Sequence, residues 1–137
     1  MDAKELMIGD WVRIDEPDKY AGATGQIQSL MYHREGDAAY FHVFIQGKFG
    51  YVSRDVCSDD IRPITLTAEI LEKNGFIRYG TSHILKESMF ELTNPSNPDR
   101  YLDNYYIRLA RQNKRVMYIH KLQHFMREFG IEKEIKI

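Results

Sequence analysis

The chain has 137 residues, 43% apolar and 12% aromatic, with 19 Lys+Arg against 20 Asp+Glu and a formal net charge of −1. This is enough apolar material for a core, which excludes a disordered chain, and the lone Cys57 excludes an internal disulfide or a thiolate metal cluster. No uncharged run reaches the roughly 20 residues of a membrane span, and Met1-Asp2-Ala3-Lys4-Glu5 contains no apolar signal region, which predicts a cytoplasmic protein with no membrane contact.

The first half alternates apolar and polar residues between turn signals. Trp11 to Ile14 is the first expected strand, with Trp11 and Arg13 on one side and Val12 and Ile14 on the other. The charged segment Asp15 to Lys19 is a loop, and Gly22-Ala23-Thr24-Gly25 leads into a strand over Gln26 to Leu30. Tyr40 to Ile45 is the most apolar run, Gly47 and Gly50 bracket a tight turn before Tyr51-Val52, and Ile61 to Ile64 ends the unit. Five short strands with glycine turns predict a small five-stranded β-barrel of the Src-homology-3 type over residues 1–64. Its expected core includes Trp11, Ile27, Val43, Ile45 and Val52.

From residue 65 the period changes. Thr67 precedes Ala68-Glu69-Ile70-Leu71-Glu72-Lys73 and Asn74-Gly75 follows, predicting a capped helix over 67–75 that ends at a left-handed glycine. Strands follow around Phe76 to Tyr79 and from His83 to Leu92, and the loop Thr93 to Asp99, with two prolines, breaks either period. Tyr105, Ile107 and Leu109 then alternate with Tyr106, Arg108 and Ala110, and Gln112-Asn113 reads as a hairpin turn into Lys114 to Tyr118. A helix over about 118–129 closes the pattern, and Glu132 to Ile137 alternates like a terminal strand. Residues 65–137 thus read as an antiparallel sheet with two helices on one face, and the chain as α+β.

On that last helix, at roughly 100° per residue from Ile119, the residues Tyr118, Leu122, Phe125, Met126 and Phe129 fall within one apolar stripe that predicts its buried side. His120, His124 and Arg127 fall almost opposite, near 100°, 140° and 80°, and are expected to face solvent or a partner.

Three blocks carry a resemblance: Glu5-Leu6-Met7-Ile8-Gly9-Asp10-Trp11-Val12, the stretch from Pro63-Ile64-Thr65-Leu66-Thr67 to Asn74-Gly75-Phe76, and Tyr118-Ile119-His120-Lys121-Leu122-Gln123-His124. In them the chain resembles small proteins encoded by Bacteroides-type gut anaerobes and their phages and mobile elements, a group with no established activity, cofactor or active site. Lys121 departs from it, since members often have Glu there. The N-terminal part is also similar to KOW-type modules in the spacing of Val12, Gly22, Gly25 and Ile27.

Two imidazoles four residues apart, His120 and His124, have the spacing that holds one metal ion, but Lys121 occupies the place where a zinc protease needs a carboxylate base, and no third ligand follows at a usable spacing. No metal and no cofactor are therefore expected. Cys57 lies among Asp55, Asp59 and Asp60, which oppose thiolate formation, and Gly22 to Gly25 lacks the lysine and helix of a phosphate loop. No nucleophile, base and orienter occur together, so no enzymatic activity is expected.

The charge is unevenly spread: residues 1–64 carry 7 basic against 11 acidic groups, residues 65–137 carry 12 against 9. Between Arg100 and Arg127 seven basic residues face Asp103 alone. Arg108, Arg111, Lys114, Arg115 and Arg127, with His120 and His124, are therefore expected to form one basic face for an anionic or acidic partner. The expected function is non-catalytic binding through protein–protein contacts. The alternatives are a phage or mobile-element inhibitor of a host nuclease or defence complex, of the anti-CRISPR type, and a nucleic-acid-binding accessory protein using the 100–127 basic and aromatic residues.

Overall fold

The computed structural model describes residues 5–15, 20–32, 39–47, 50–88, 90–94, 105–109 and 112–137. Among these residues the fold is α+β, with two five-stranded antiparallel sheets and two α-helices, and the chain divides into two compact units, Met1–Ile64 and Thr65–Ile137.

The first unit contains β1 (Trp11–Ile14), β2 (Thr24–Tyr32), β3 (Ala39–Gly47), β4 (Gly50–Cys57) and β5 (Ile61–Arg62), in the order β4-β3-β2-β1-β5. Alternation does what it should: Val12, Ile14, Ile27, Phe41, Val43, Ile45, Val56 and Ile61 are buried in one cluster. Among the described residues no pairing joins β4 to β5, so hydrogen bonds do not close the sheet into the expected barrel. Two core expectations need correction. Val52 only flanks the cluster, because β4 is an edge strand, and Trp11, though buried, stands outside it, on the opposite side of β1 from Val12 and Ile14.

Two local devices set up this sheet. The buried Asp10 carboxylate accepts the Met7 N–H at 2.8 Å, and Gly9 takes φ 90°, so Met7 to Asp10 folds back into β1. Gly25 lies against β3 so closely that a Cβ there would meet Val43 Cγ1 at 2.6 Å and the Phe44 carbonyl at 2.9 Å.

The second unit begins with α1 (Ala68–Lys73), where Thr67 Oγ1 accepts the Ile70 N–H at 3.3 Å and Gly75 ends the helix at φ 87°. Then come β6 (Ile77–Tyr79), β7 (Ser82–Leu85), β8 (Phe90–Thr93), β9 (Tyr105–Leu109), β10 (Gln112–Val116) and α2 (Ile119–Glu128), the sheet running β10-β9-β8-β7-β6. The hairpin turn expected at Gln112-Asn113 is displaced. Gln112 pairs with Leu109 and Asn113 with Arg108, so both belong to β10, and cross-strand pairing overrides their turn propensity.

Register puts His83, Leu92 and Ile107 side by side across three strands, and Tyr105 opposite Val116, all buried on one face. Both helices lie on that face: Glu72 of α1 reaches His83, and Phe129 beyond α2 makes an edge contact with Phe90 at 5.8 Å. The helix starts are brought together by a bridge between Thr65 and Tyr118 and by the Leu66 N–H donating to the Met117 carbonyl at 2.9 Å. No strand forms over 132–137. The tail is instead held by the buried Asn74 side chain, whose Nδ2 donates to the Lys136 carbonyl and whose Oδ1 accepts the Lys136 N–H, each at 2.7 Å, while Ile135 is buried. One asparagine supplies the donor and acceptor that a neighbouring strand would have provided.

Candidate functional site

The expected basic residues lie on the β9–β10 hairpin and on α2. In the ladder Lys114 pairs with Ile107 and Arg115 with Tyr106. Ile107 is buried under the helices, so Lys114 emerges on the helical side of the sheet and Arg115 on the other. Both are exposed. The single basic face expected from the sequence is therefore split at this point, because consecutive strand residues point to opposite faces.

Lys114 nevertheless joins the hairpin to α2, its Nζ standing 5.8 Å from the centroid of the Phe125 ring. Phe125 is half-buried and Arg127 exposed, in the last turn, where a cation also complements the helix dipole. Arg108 contributes a backbone pair to β9, while Arg111 lies outside the described residues. The loop Thr93 to Asp99 and the tyrosine-rich stretch after it fall outside them from residue 95 to residue 104.

His120 is not on the surface. It is 1% exposed, and the buried residues of α2 are Ile119, His120, Leu122, Gln123 and Met126. On the wheel these occupy about 300° through 0° to 100°, an arc rotated away from the stripe read from the sequence. Tyr118 and Phe125 lie half-exposed on its flank and Phe129 is 45% exposed, so hydrophobicity alone misplaced the centre of the buried arc. His120 fills space as an aromatic disc, stacked on Tyr118 at 5.8 Å with 10° between planes and edge-on to His124 at 5.8 Å.

Neither ring nitrogen of His120 has a hydrogen-bond partner. Burial first, then the like charge of Lys121 and of His124, pushes its pKa down to about 4, so the ring is neutral at physiological pH. His124 is half-buried beside it. Among the described residues no group of three His, Cys, Asp or Glu could hold a metal, and the pair has no third side-chain ligand of those types.

A second buried histidine, His83, was not singled out by sequence reasoning. Its Nε2 lies 3.4 Å from Glu72 Oε1, its Nδ1 has no partner, and its ring meets Tyr105 edge-on at 5.9 Å. Burial pushes the Tyr105 hydroxyl pKa upward, Arg78 opposing and Glu72 reinforcing the shift. Strand alternation contains the signal, since His83 shares a face with Leu85. The acidic turn after Cys57 is structural: the Asp60 carbonyl accepts the Asp15 N–H at 2.8 Å and the Asp59 carbonyl accepts Arg62 Nη1 at 2.6 Å.

The groups available for chemistry are thus an exposed cation, Lys114, set against the Phe125 ring between the hairpin and α2, and two buried imidazoles, His83 and His120, inside the same unit. Comparison with family models, with curated proteins and with solved structures found no match.

Proposed function

We propose that this protein is a non-catalytic binding protein that acts through protein–protein contacts, and that the β10 and α2 surface of its second unit receives a partner with an acidic face. The observation that carries this reading is Lys114 held over Phe125, a cation and an aromatic body presented together at the surface. Such pairs supply an apolar anchor and a charge for specificity at one place. On α2, the exposed Arg127 adds a second cation and His124 an imidazole, while Arg115 presents its charge on the other face of β10. His120 acts from beneath as a packing residue. The strand order of the first unit supports a Src-homology-3-like module left open at β4, a class of fold that hosts many unrelated binding functions.

The test is affinity capture from cells that encode the protein, comparing the full chain with a Lys114→Glu, Arg115→Glu variant. Both residues are exposed, so the fold should be retained to within about 0.5 kcal/mol. The expected outcome is a protein partner captured by the wild type, released steeply by salt, and lost from the variant. Nuclease-sensitive capture would favour nucleic acid instead, and unchanged capture by the variant would move the functional surface elsewhere.

A further inference from the structure

The direction of the backbone groups in the first sheet follows from its hydrogen bonds. Ile27 donates to the Asp10 carbonyl and accepts from the Gly9 N–H, so it bonds on the β1 side of β2. Alternation then turns Gln26 toward Phe44 of β3, turns Val43 and Ile45 of β3 toward Arg54 and Val52 of β4, and leaves Tyr51, Ser53 and Asp55 with their N–H and C=O groups directed away from the sheet. All three are exposed, Tyr51 by 66%. Among the described residues those outward groups make no backbone hydrogen bond.

β4 is eight residues long, Gly50-Tyr51-Val52-Ser53-Arg54-Asp55-Val56-Cys57, with no proline and no lysine. Edges of that length are normally blunted by proline, charged side chains, bulges or a covering element, and of the first two β4 carries only the charges Arg54 and Asp55. The β3–β4 register runs unbroken from Tyr40↔Cys57 to Gly47↔Gly50, so no bulge interrupts it.

We propose that β4 is a self-complementary edge that pairs antiparallel with β4 of a second copy of this chain, joining two sheets about a two-fold axis at Ser53. In that register Ser53 meets Ser53 of the second copy, and Tyr51 meets Asp55. These are the outward residues, so each pair exchanges both N–H···O bonds. Val52 meets Arg54 on the opposite face. The two charges of the strand are thus never set against themselves, which is the requirement for an isologous contact. Tyr51 is already fixed by stacking on Phe44 at 5.2 Å, and Asp55 by His42 Nδ1 at 2.7 Å, so the side chains that would meet are ordered beforehand.

The experiment is sedimentation equilibrium of the full chain over a wide concentration range, with two variants. Ser53→Pro removes an N–H that the sheet does not use and should give a monomer with an unchanged far-ultraviolet spectrum. Ser53→Cys, made together with Cys57→Ser, places two thiols on the axis with Cα atoms about 5.5 Å apart, within disulfide reach. It should crosslink quantitatively on mild oxidation, while Glu69→Cys in the same background, on the exposed side of α1, should not. A wild type that stays monomeric at millimolar concentration overturns the proposal. So does a dimer that survives Ser53→Pro, or one in which Ser53→Cys crosslinks no faster than Glu69→Cys. If Ser53→Pro loses its native spectrum, the crosslinking comparison decides alone.

Discussion

The two sheets solve the same problem with different interiors. Among its described residues the first unit has no α-helix, and its core cluster is wholly apolar, built from the alternating faces of its strands, with Asp10 and Ser58 buried outside that cluster. The second covers one face of its sheet with helices and buries His83, His120, Asn74 and Gln123 among its apolar residues. The difference teaches that the helix-covered unit, which also carries the net positive half of the chain, couples its packing to the protonation of a buried imidazole. The neutral imidazole of His120, buried with no hydrogen-bond partner, makes that coupling.

The comparison is broken most severely by removing the apolar half of the second interior. Leu122 is fully buried on α2, and Leu122→Ala should destabilise the protein by about 2 to 5 kcal/mol through lost burial and the cavity left behind. A urea denaturation midpoint unchanged by this substitution would show that α2 does not pack as described.

Acid should act next most strongly, and through His120. Its folded pKa of about 4 lies below the unfolded value near 6.5, so between these limits the unfolded chain takes up a proton that the fold refuses. Stability is therefore fully present above about pH 6.5 and is lost as pH falls toward 4, by up to about 3 kcal/mol from this residue. His120→Phe keeps the stacked disc between Tyr118 and His124 and should flatten that part of the pH dependence. An identical loss of stability in the variant would assign the acid sensitivity to other groups.

Asn74→Ala sharpens the contrast at smaller scale. It removes the buried side chain that bonds both backbone groups of Lys136 and also donates to the Ile70 carbonyl at 2.8 Å, and losing these part-buried bonds should cost about 1 to 3 kcal/mol. Amide exchange in the C-terminal segment, Ile135 to Ile137, should accelerate more than exchange in β2 or β3. Equal acceleration everywhere would mean that Asn74 supports the whole fold and not the tail.

Much of the architecture was legible because period and capping are local. Val12 and Ile14, Phe41 to Ile45, and Thr67 before Ala68 each announce their element within a few residues. What could not be read depended on distant partners. Asn74 looked only like a helix stop because Lys136 is 62 residues away. Gln112 and Asn113 looked like a turn because their partners Leu109 and Arg108 are defined by register, which composition does not specify. His120 was misplaced because a wheel weighs Phe125 and Phe129 as core, whereas the fold leaves both partly exposed and buries an imidazole instead. The cationic residues of the candidate surface were legible as a composition bias. Their division between two faces by the pairing of Lys114 with Ile107 and Arg115 with Tyr106 was not.

The central claim is that partner recognition belongs to the cationic second unit, at the hairpin and α2. It is tested most directly by hydrogen-exchange mass spectrometry of the wild-type chain with and without its captured partner. The account predicts slowed exchange in β10, Gln112–Val116, and along α2, Ile119–Glu128, with β1 to β3 of the first unit unchanged. Protection confined to the first unit, with β10 and α2 exchanging as in the free protein, would contradict it.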